Sequence, residues 1–204
     1  MHRVPYWPVT LEHGDIVLRP IRQRDKAEWT AVRQRNREWL EPWEASNPIP
    51  GGRFPSYRDM VASLRSQARQ GAALPFVITE RQSAGEAPRI IGQLTVSNIL
   101  WGSAMMASIG YWVDRERAGR GIVPTAVALA TDFCFQELGM HRMEINIRPE
   151  NIPSLRVVEK LGFRYEGIRP SYLHINGAWA DHCSYALTAE EVPQGLLNRW
   201  LAGV

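Results

Sequence analysis

Between Met106 and Phe133 the apolar pattern changes its period from two residues to about 3.6 across a single glycine turn. "MMASIGYWVD" alternates as a strand does. Beyond the turn Ile122, Ala126, Leu129, Ala130 and Phe133 recur at helical spacing, which predicts an amphipathic helix to about Glu137. Between the two lies Ala118-Gly119-Arg120-Gly121. A helix entered this way exposes unpartnered N–H groups and the positive end of its dipole, and the glycines present no Cβ to hold a ligand off the backbone. That suits a pyrophosphate. Arg115, Arg117 and Arg120 add positive charge, and Pro124 falls where its missing N–H costs little. The turn is no Walker loop, since no Gly-Lys-Ser/Thr follows, and Pro124 stands where a dinucleotide motif has its third glycine. By themselves the glycines also suit a plain strand-to-helix turn.

The rest of the chain alternates strands and helices in the order β-αα-βββ-α-β-α-ββ, without repeats. "GDIVLRPIR" reads as a strand with Ile16, Leu18 and Ile21 toward a buried face, and Asp25 is expected to cap a helix to about Asn36. "EWLEPWEASNPIPGG" reads as a long loop. Ser56 and Asp59 have capping-box spacing ahead of a helix to about Arg69. "ALPFVITE" and "RIIGQLTVSNIL" are strands joined by the turn "RQSAGEAP". "HRMEINIR" is a strand, "IPSLRVVEKLG" a helix closed by Gly162, and "FRYEGI" a strand. "YLHINGAWADHCSYALT" is a hairpin turning at Asn176-Gly177, and a short helix follows it. We expect one α/β domain over residues 1–204, with a single mixed, mostly antiparallel sheet.

No run approaches the roughly 20 apolar residues of a membrane span, and "MHRVPYWPVT" lacks a signal-peptide core, so a cytoplasmic protein is expected. Cys134 and Cys183 are too few for a disulfide framework and lack metal-ligand spacing. Cys134, inside the helical pattern, reads as a buried thiol. The net charge of +3 fits an anionic partner but does not imply nucleic-acid recognition.

With "IGYWVDRERAGRGI", the segments "HRMEINIRPENIPSLRVVEKLGFRYEG" and "NGAWADHCSYALT" give the chain its clearest kinship. It resembles the GNAT superfamily of N-acetyltransferases, and within it the RimJ/RimL-type branch that acetylates ribosomal-protein N-termini. The resemblance implies an acyl-CoA N-acyltransferase fold with acetyl-CoA as co-substrate, lying between splayed strands "ASIGYWV" and "RMEINIR". Its pantetheine would pair with backbone near Trp112 and Val113. Its pyrophosphate would sit on the 118–123 turn, with Arg117, Ala118, Gly119, Arg120, Gly121 and Ile122 as cofactor-binding positions. Two residues depart from the family pattern: Ala118 replaces Gln or Arg, and Val123 replaces Gly or Ala. The contacts the resemblance implies are mainly backbone, so binding is expected to survive Ala118, with Arg117 or Arg120 in place of its missing side chain.

Asn151 and Ser154 match the family's Asn-x-x-Ser motif, which implies a pantetheine contact for Asn151 and a proton for the departing thiolate from Ser154. Both also suit the cap of the following helix. Tyr172 is the rival acid, or a core aromatic. For the base, Glu144 and Glu150 are candidates. His174 is another, although a lone strand histidine is more often structural, and the glutamate of RimL-type relatives is replaced by Leu173. His141, Arg142, Asp181 and His182 read as structural. At the acceptor entrance Glu38, Trp39 and Trp43, with Glu41 and Glu44 beside them, offer carboxylates for an amine and rings for a peptide stem, or else core closure and a solvated face. The implied partner is a protein N-terminus, ribosomal in origin, with the enzyme a monomer or homodimer and no membrane contact. The alternatives are acetylation of a small amine and a non-catalytic acyl-CoA-binding protein associated with the ribosome.

Overall fold

A computed structural model describes residues 7–49, 55–82 and 86–203. Residues 50–54 of the proline-rich loop and 83–85 of the "RQSAGEAP" turn lie outside the described residues. Strands β1 (Leu11–His13) and β2 (Ile16–Pro20) form a hairpin. Helices α1 (Lys26–Arg35), α2 (Arg37–Leu40) and α3 (Tyr57–Arg69) follow. Then come β3 (Leu74–Glu80), β4 (Arg89–Leu100), β5 (Met106–Val113), α4 (Ile122–Asp132), β6 (Arg142–Ile147) and α5 (Ile152–Leu161). The chain ends with β7 (Arg164–Ile175), β8 (Ala178–Thr188) and α6 (Leu196–Leu201).

The eight strands make one sheet in the order β1-β2-β3-β4-β5-β6-β8-β7. Every neighbouring pair is antiparallel except β5–β6. Helices cover both faces of its centre, so β3 reads as an unbroken apolar run rather than an alternating one. Phe76, Ile78, Leu94 and Val96 pack toward α4 in the main core, whereas Val77 and Ile90 join Ile21 and Val61 under α1 and α3. The Ser56 cap forms as expected, its hydroxyl accepting from Asp59 N at 3.2 Å. Asn176 and Gly177 both take left-handed backbone at the β7–β8 turn, as a primed turn requires.

Three expectations need correction. The segment read as a long loop starts instead with α2 and a 3-10 turn, Glu41–Trp43, with Pro42 in its first positions. Asp25 precedes α1 but makes no side-chain cap on it. A short 3-10 turn, Gln23–Asp25, intervenes, and its geometry aims the Asp25 carboxylate back at Arg22 N (2.8 Å) and the Arg19 guanidinium (2.8 and 3.0 Å). The α4 segment is not amphipathic: nine of its eleven residues are buried. The reason is α6, which lies against it. Asp132 at the end of α4 accepts from Leu196 N and Leu197 N at 2.6 and 2.9 Å, and Trp200 Nε1 donates to Thr125 Oγ1 at 3.0 Å. The helical path continues through one π-helical turn, Phe133–Glu137. Cys134 is buried there as expected, and burial pushes its thiol pKa up to about 12.

Candidate active site

The site follows from where β5 and β6 part. They pair only from Met106–Ser108 to Arg142–Glu144, so Tyr111–Val113 of β5 and Ile145–Ile147 of β6 face a gap in the sheet. A cleft of about 860 Å³ opens there. Its walls come from the end of β5, the turn into α4, the first turns of α5, and the α1–α2 region. That size suits a small-molecule ligand.

At one end lies the glycine turn. Gly119 and Gly121 take φ of +78° and +76°, a left-handed conformation that side chains rarely adopt. They turn the chain so that α4 starts at Ile122 with its free N–H groups at the cleft. The strand does not feed straight into this turn, because a 3-10 turn at Arg115–Arg117 intervenes. Buried Asp114 holds it in place. Its carboxylate accepts from Asn36 Nδ2 at 2.9 Å, from Arg35, and from Glu116 N at 3.3 Å, while Asn36 Oδ1 accepts from Arg115 N at 2.9 Å. Burial alone would raise the Asp114 pKa, but the hydrogen bonds from Arg35 and Asn36 outweigh it and hold the group below its ordinary value.

The cleft gathers most of the expected cofactor positions: Trp112, Val113, Arg117, Ala118, Gly119, Gly121 and Ile122 from β5 and the turn, with Asn151 and Ser154 from α5. Arg120 is exposed and does not line it. Arg117 lines it while paired with Glu80 at 3.3 Å. Asn151 also caps α5, its Oδ1 accepting from Ser154 N at 3.3 Å. Asn151→Ala is therefore expected to cost about 1 kcal/mol of stability in urea unfolding without any ligand present.

Several cleft residues escaped the sequence reading. Arg156 and Lys160 share the cleft-facing side of α5 with Pro153 and Val157, a signal present in their helical spacing. Tyr111 shares a face of β5 with Val113 and donates to Ser154 O at 3.4 Å. Burial raises its phenol pKa, only partly offset by the hydrogen bond to Ser154, so it keeps its proton at neutral pH. Trp29 and Arg33 of α1 complete the other end.

Four catalytic candidates lie elsewhere. Glu144 is buried but outside the cleft lining, its oxygens taken by Arg142 Nε (2.9 Å) and Arg169 Nη2 (3.0 Å), because its side chain shares a face of the sheet with the i−2 residue Arg142. Tyr172 is also outside the lining. Its hydroxyl accepts from Arg169 at 3.2 Å and its ring lies under that guanidinium, 5.0 Å away. Glu150 pairs with Arg148 beside a smaller, separate cavity. His174 is structural: Nδ1 meets Ser46 Oγ at 2.8 Å and its ring packs edge-on to Trp179. Asp181 and His182 serve the hairpin, as expected, accepting from Ser171 N at 2.7 Å and meeting Ala180 O at 2.9 Å.

At the acceptor end, Trp39 and Trp43 line the cleft, under Arg115 and Arg148 respectively at 5.7 Å. Glu38 and Glu41 are exposed and outside it, whereas Glu44 lines it. The strap Pro42–Ser46 is sewn to the far side of the fold. Arg148 donates to Pro42 O at 3.1 Å, Ala45 bridges Ile175, and Ser46 N donates to His174 O at 2.9 Å.

The chain is similar to known proteins in sequence and fold. The Acetyltransferase (GNAT) domain family model matches residues 15–164. The structure of Mycobacterium smegmatis RimJ in complex with CoA-disulfide superposes with a TM-score of 0.86 at 41% identity, covering 99% of this chain and 97% of that one. A probable N-acetyltransferase of Bacillus subtilis, YjcK, is 31% identical over 84% of this chain and 93% of its own. The ribosomal protein uS5-alanine N-acetyltransferase of Escherichia coli is 28% identical over 92% and 94%. Among the described residues, no helix is long and apolar enough to cross a membrane.

Proposed function

This chain belongs to the GNAT family of acetyltransferases, in its RimJ/RimL-type branch, and from that premise we propose that it transfers acetyl from acetyl-CoA to the N-terminal α-amine of a protein, ribosomal in origin. All 204 residues serve this one activity in the cytoplasm. The observation that carries the reading is the parting of β5 and β6 beside a glycine turn. The gap leaves β5 backbone near Trp112 and Val113 free to take an extended ligand chain as an added strand. The turn fits a phosphate: Gly119 has no heavy atom within 4 Å of where a Cβ would stand, and Arg156 and Lys160 supply cations to the same cleft. Names of similar proteins support the acceptor: RimJ, and an alanine N-acetyltransferase of ribosomal protein uS5.

Bound acetyl-CoA supplies a thioester whose acetyl group passes directly to the amine. Cys134, buried away from the cleft, takes no part. Ser154 lines the cleft, and its hydroxyl gives its proton to the departing thiolate, recovering one from solvent. Asn151 holds the α5 N-terminus that positions Ser154. Trp39 and Trp43 exclude water and pack the first side chain of the acceptor.

CoA release followed with a thiol reagent tests the reading, with acetyl-CoA and a panel of acceptors. Peptides beginning with Ala or Ser are expected to turn over, and their N-terminally blocked twins, polyamines and aminoglycosides are not. Turnover on the small amines in preference to peptides would overturn it.

A further inference from the structure

The acceptor end of the cleft holds a charge arrangement that cofactor binding does not require. Arg33 of α1 projects between two rings, its guanidinium 5.5 Å from the Trp29 centroid and 5.2 Å from that of Trp112. Trp29 is fixed in turn: Nε1 donates to Gln93 Oε1 at 2.8 Å, and the ring meets Trp112 edge-on at 6.1 Å. From this cage Arg33 donates to Glu44 Oε1. Burial lowers the Arg33 pKa from its ordinary value and nearby Glu44 offsets part of that, so the pair is a cation with one close counter-charge.

Glu44 is itself well placed. Its carbonyl accepts from Asn176 N at 2.9 Å and the next residue bridges Ile175, so its backbone is held to the β7–β8 hairpin. Its side chain is 43% exposed against 24% for Arg33. A carboxylate has room for several donors, and Glu44 both lines the cleft and keeps part of its side chain exposed. Among the described residues lining the cleft, Glu44 is the one carboxylate, set against Arg33, Arg117, Arg156 and Lys160.

We propose that Glu44 binds the ammonium of the incoming acceptor, that Arg33 positions it, and that this single, already paired carboxylate confines the enzyme to acceptors with one ammonium at the reacting end. A peptide N-terminus meets that condition and a polyamine does not. The proposal rests on the N-terminal acetylation reading and names the group that selects for it. A second ammonium along a polyamine would find guanidinium rather than carboxylate, and unlike partners are rejected by such juxtaposition. A peptide puts uncharged backbone there, and the tryptophan rings cover it. Glu44 acts in binding, and the ammonium gives its proton to solvent before the new C–N bond forms.

Steady-state acetylation of an Ala-initiated peptide and of spermidine tests this, using the wild type, Glu44→Gln, Glu44→Asp and Arg33→Met, with acetyl-CoA affinity measured for each by calorimetry. Glu44→Gln is expected to raise the peptide KM about 10- to 100-fold, the loss of one charged hydrogen bond, with acetyl-CoA affinity unchanged. Glu44→Asp recovers part of that loss, and Arg33→Met raises spermidine turnover relative to peptide. An unchanged peptide KM in Glu44→Gln overturns the proposal. So does a joint loss of acetyl-CoA affinity that Glu44→Asp fails to rescue, since that marks a structural role. A wild type that prefers spermidine refutes the N-terminal reading and the exclusion together, and the KM of Glu44→Gln on spermidine then decides the role of the carboxylate separately.

Discussion

Gly121→Asp is expected to weaken acetyl-CoA binding at least about 100-fold in calorimetry, and it carries two costs, one borne by free and bound protein alike and one by the complex alone. The first is local. At φ +76° an L side chain costs about 1 kcal/mol or more, and a Cβ there would stand 3.3 Å from Trp200 Cζ2, in the helix that covers α4. The second is electrostatic. A carboxylate at the N-terminus of α4 would face the pyrophosphate across a few ångströms, where like charges near a protein surface repel by roughly 4 kcal/mol. Gly121→Ala separates the two, because it carries the strain without the charge and should lose much less affinity. Equal losses in both variants would assign the effect to backbone strain. Unchanged affinity in Gly121→Asp would place the pyrophosphate elsewhere.

Asp114→Ala is expected to cost about 2–4 kcal/mol of folding stability, a large share of the total for a domain of this size. Asp114 is 2% exposed and joins three segments: the end of α1 through Arg35 and Asn36, the 3-10 turn through Glu116 N, and β4, whose Ile91 O accepts from its N–H at 2.7 Å. Little of the loss comes from Arg35, which is 47% exposed and can return to solvent. Most comes from buried Asn36, whose amide loses an acceptor, and from the turn it steadies. The pH dependence has a definite sign. The folded Asp114 pKa lies below that of the unfolded chain, so its contribution is fully present above about pH 4 and is lost as pH falls through the folded value. Urea unfolding of wild type and Asp114→Ala should therefore differ by a constant amount from pH 5 upward and converge in acid. A difference that persists unchanged well below the unfolded pKa would mean that the ionised carboxylate is not what holds the end of α1 to the 3-10 turn.

The sequence carried local features well and long-range orientation poorly. Helix α3 begins at the Ser56 cap and ends at Arg69 because both signals lie within the segment itself. Gly162 and Asn176-Gly177 were legible for the same reason. The cofactor turn was readable once its motif was joined to the strand before it. The placement of the candidate catalytic residues was not. Whether Glu144 meets the cleft depends on where β5 leaves β6, and Tyr172 sits within the irregularity in β7 pairing between Arg169 and Leu173. Neither event leaves a mark in the neighbouring residues. Likewise, choosing Glu44 over Glu38 and Glu41 required the Ala45–Ile175 bridge, which ties the strap to a strand formed near the other end of the chain. Burial all round α4 was hidden too, since the covering helix α6 is the last element to form along the sequence.

The most direct measurement of what the cleft does is mass-spectrometric mapping of the acetyl group on a peptide that begins with Ala and carries an internal Lys, after incubation with acetyl-CoA and the enzyme. Acetyl found on the N-terminal amine alone is the expected result. Acetyl on the lysine side chain, or an unmodified peptide under conditions where the enzyme acetylates a small amine, would contradict it.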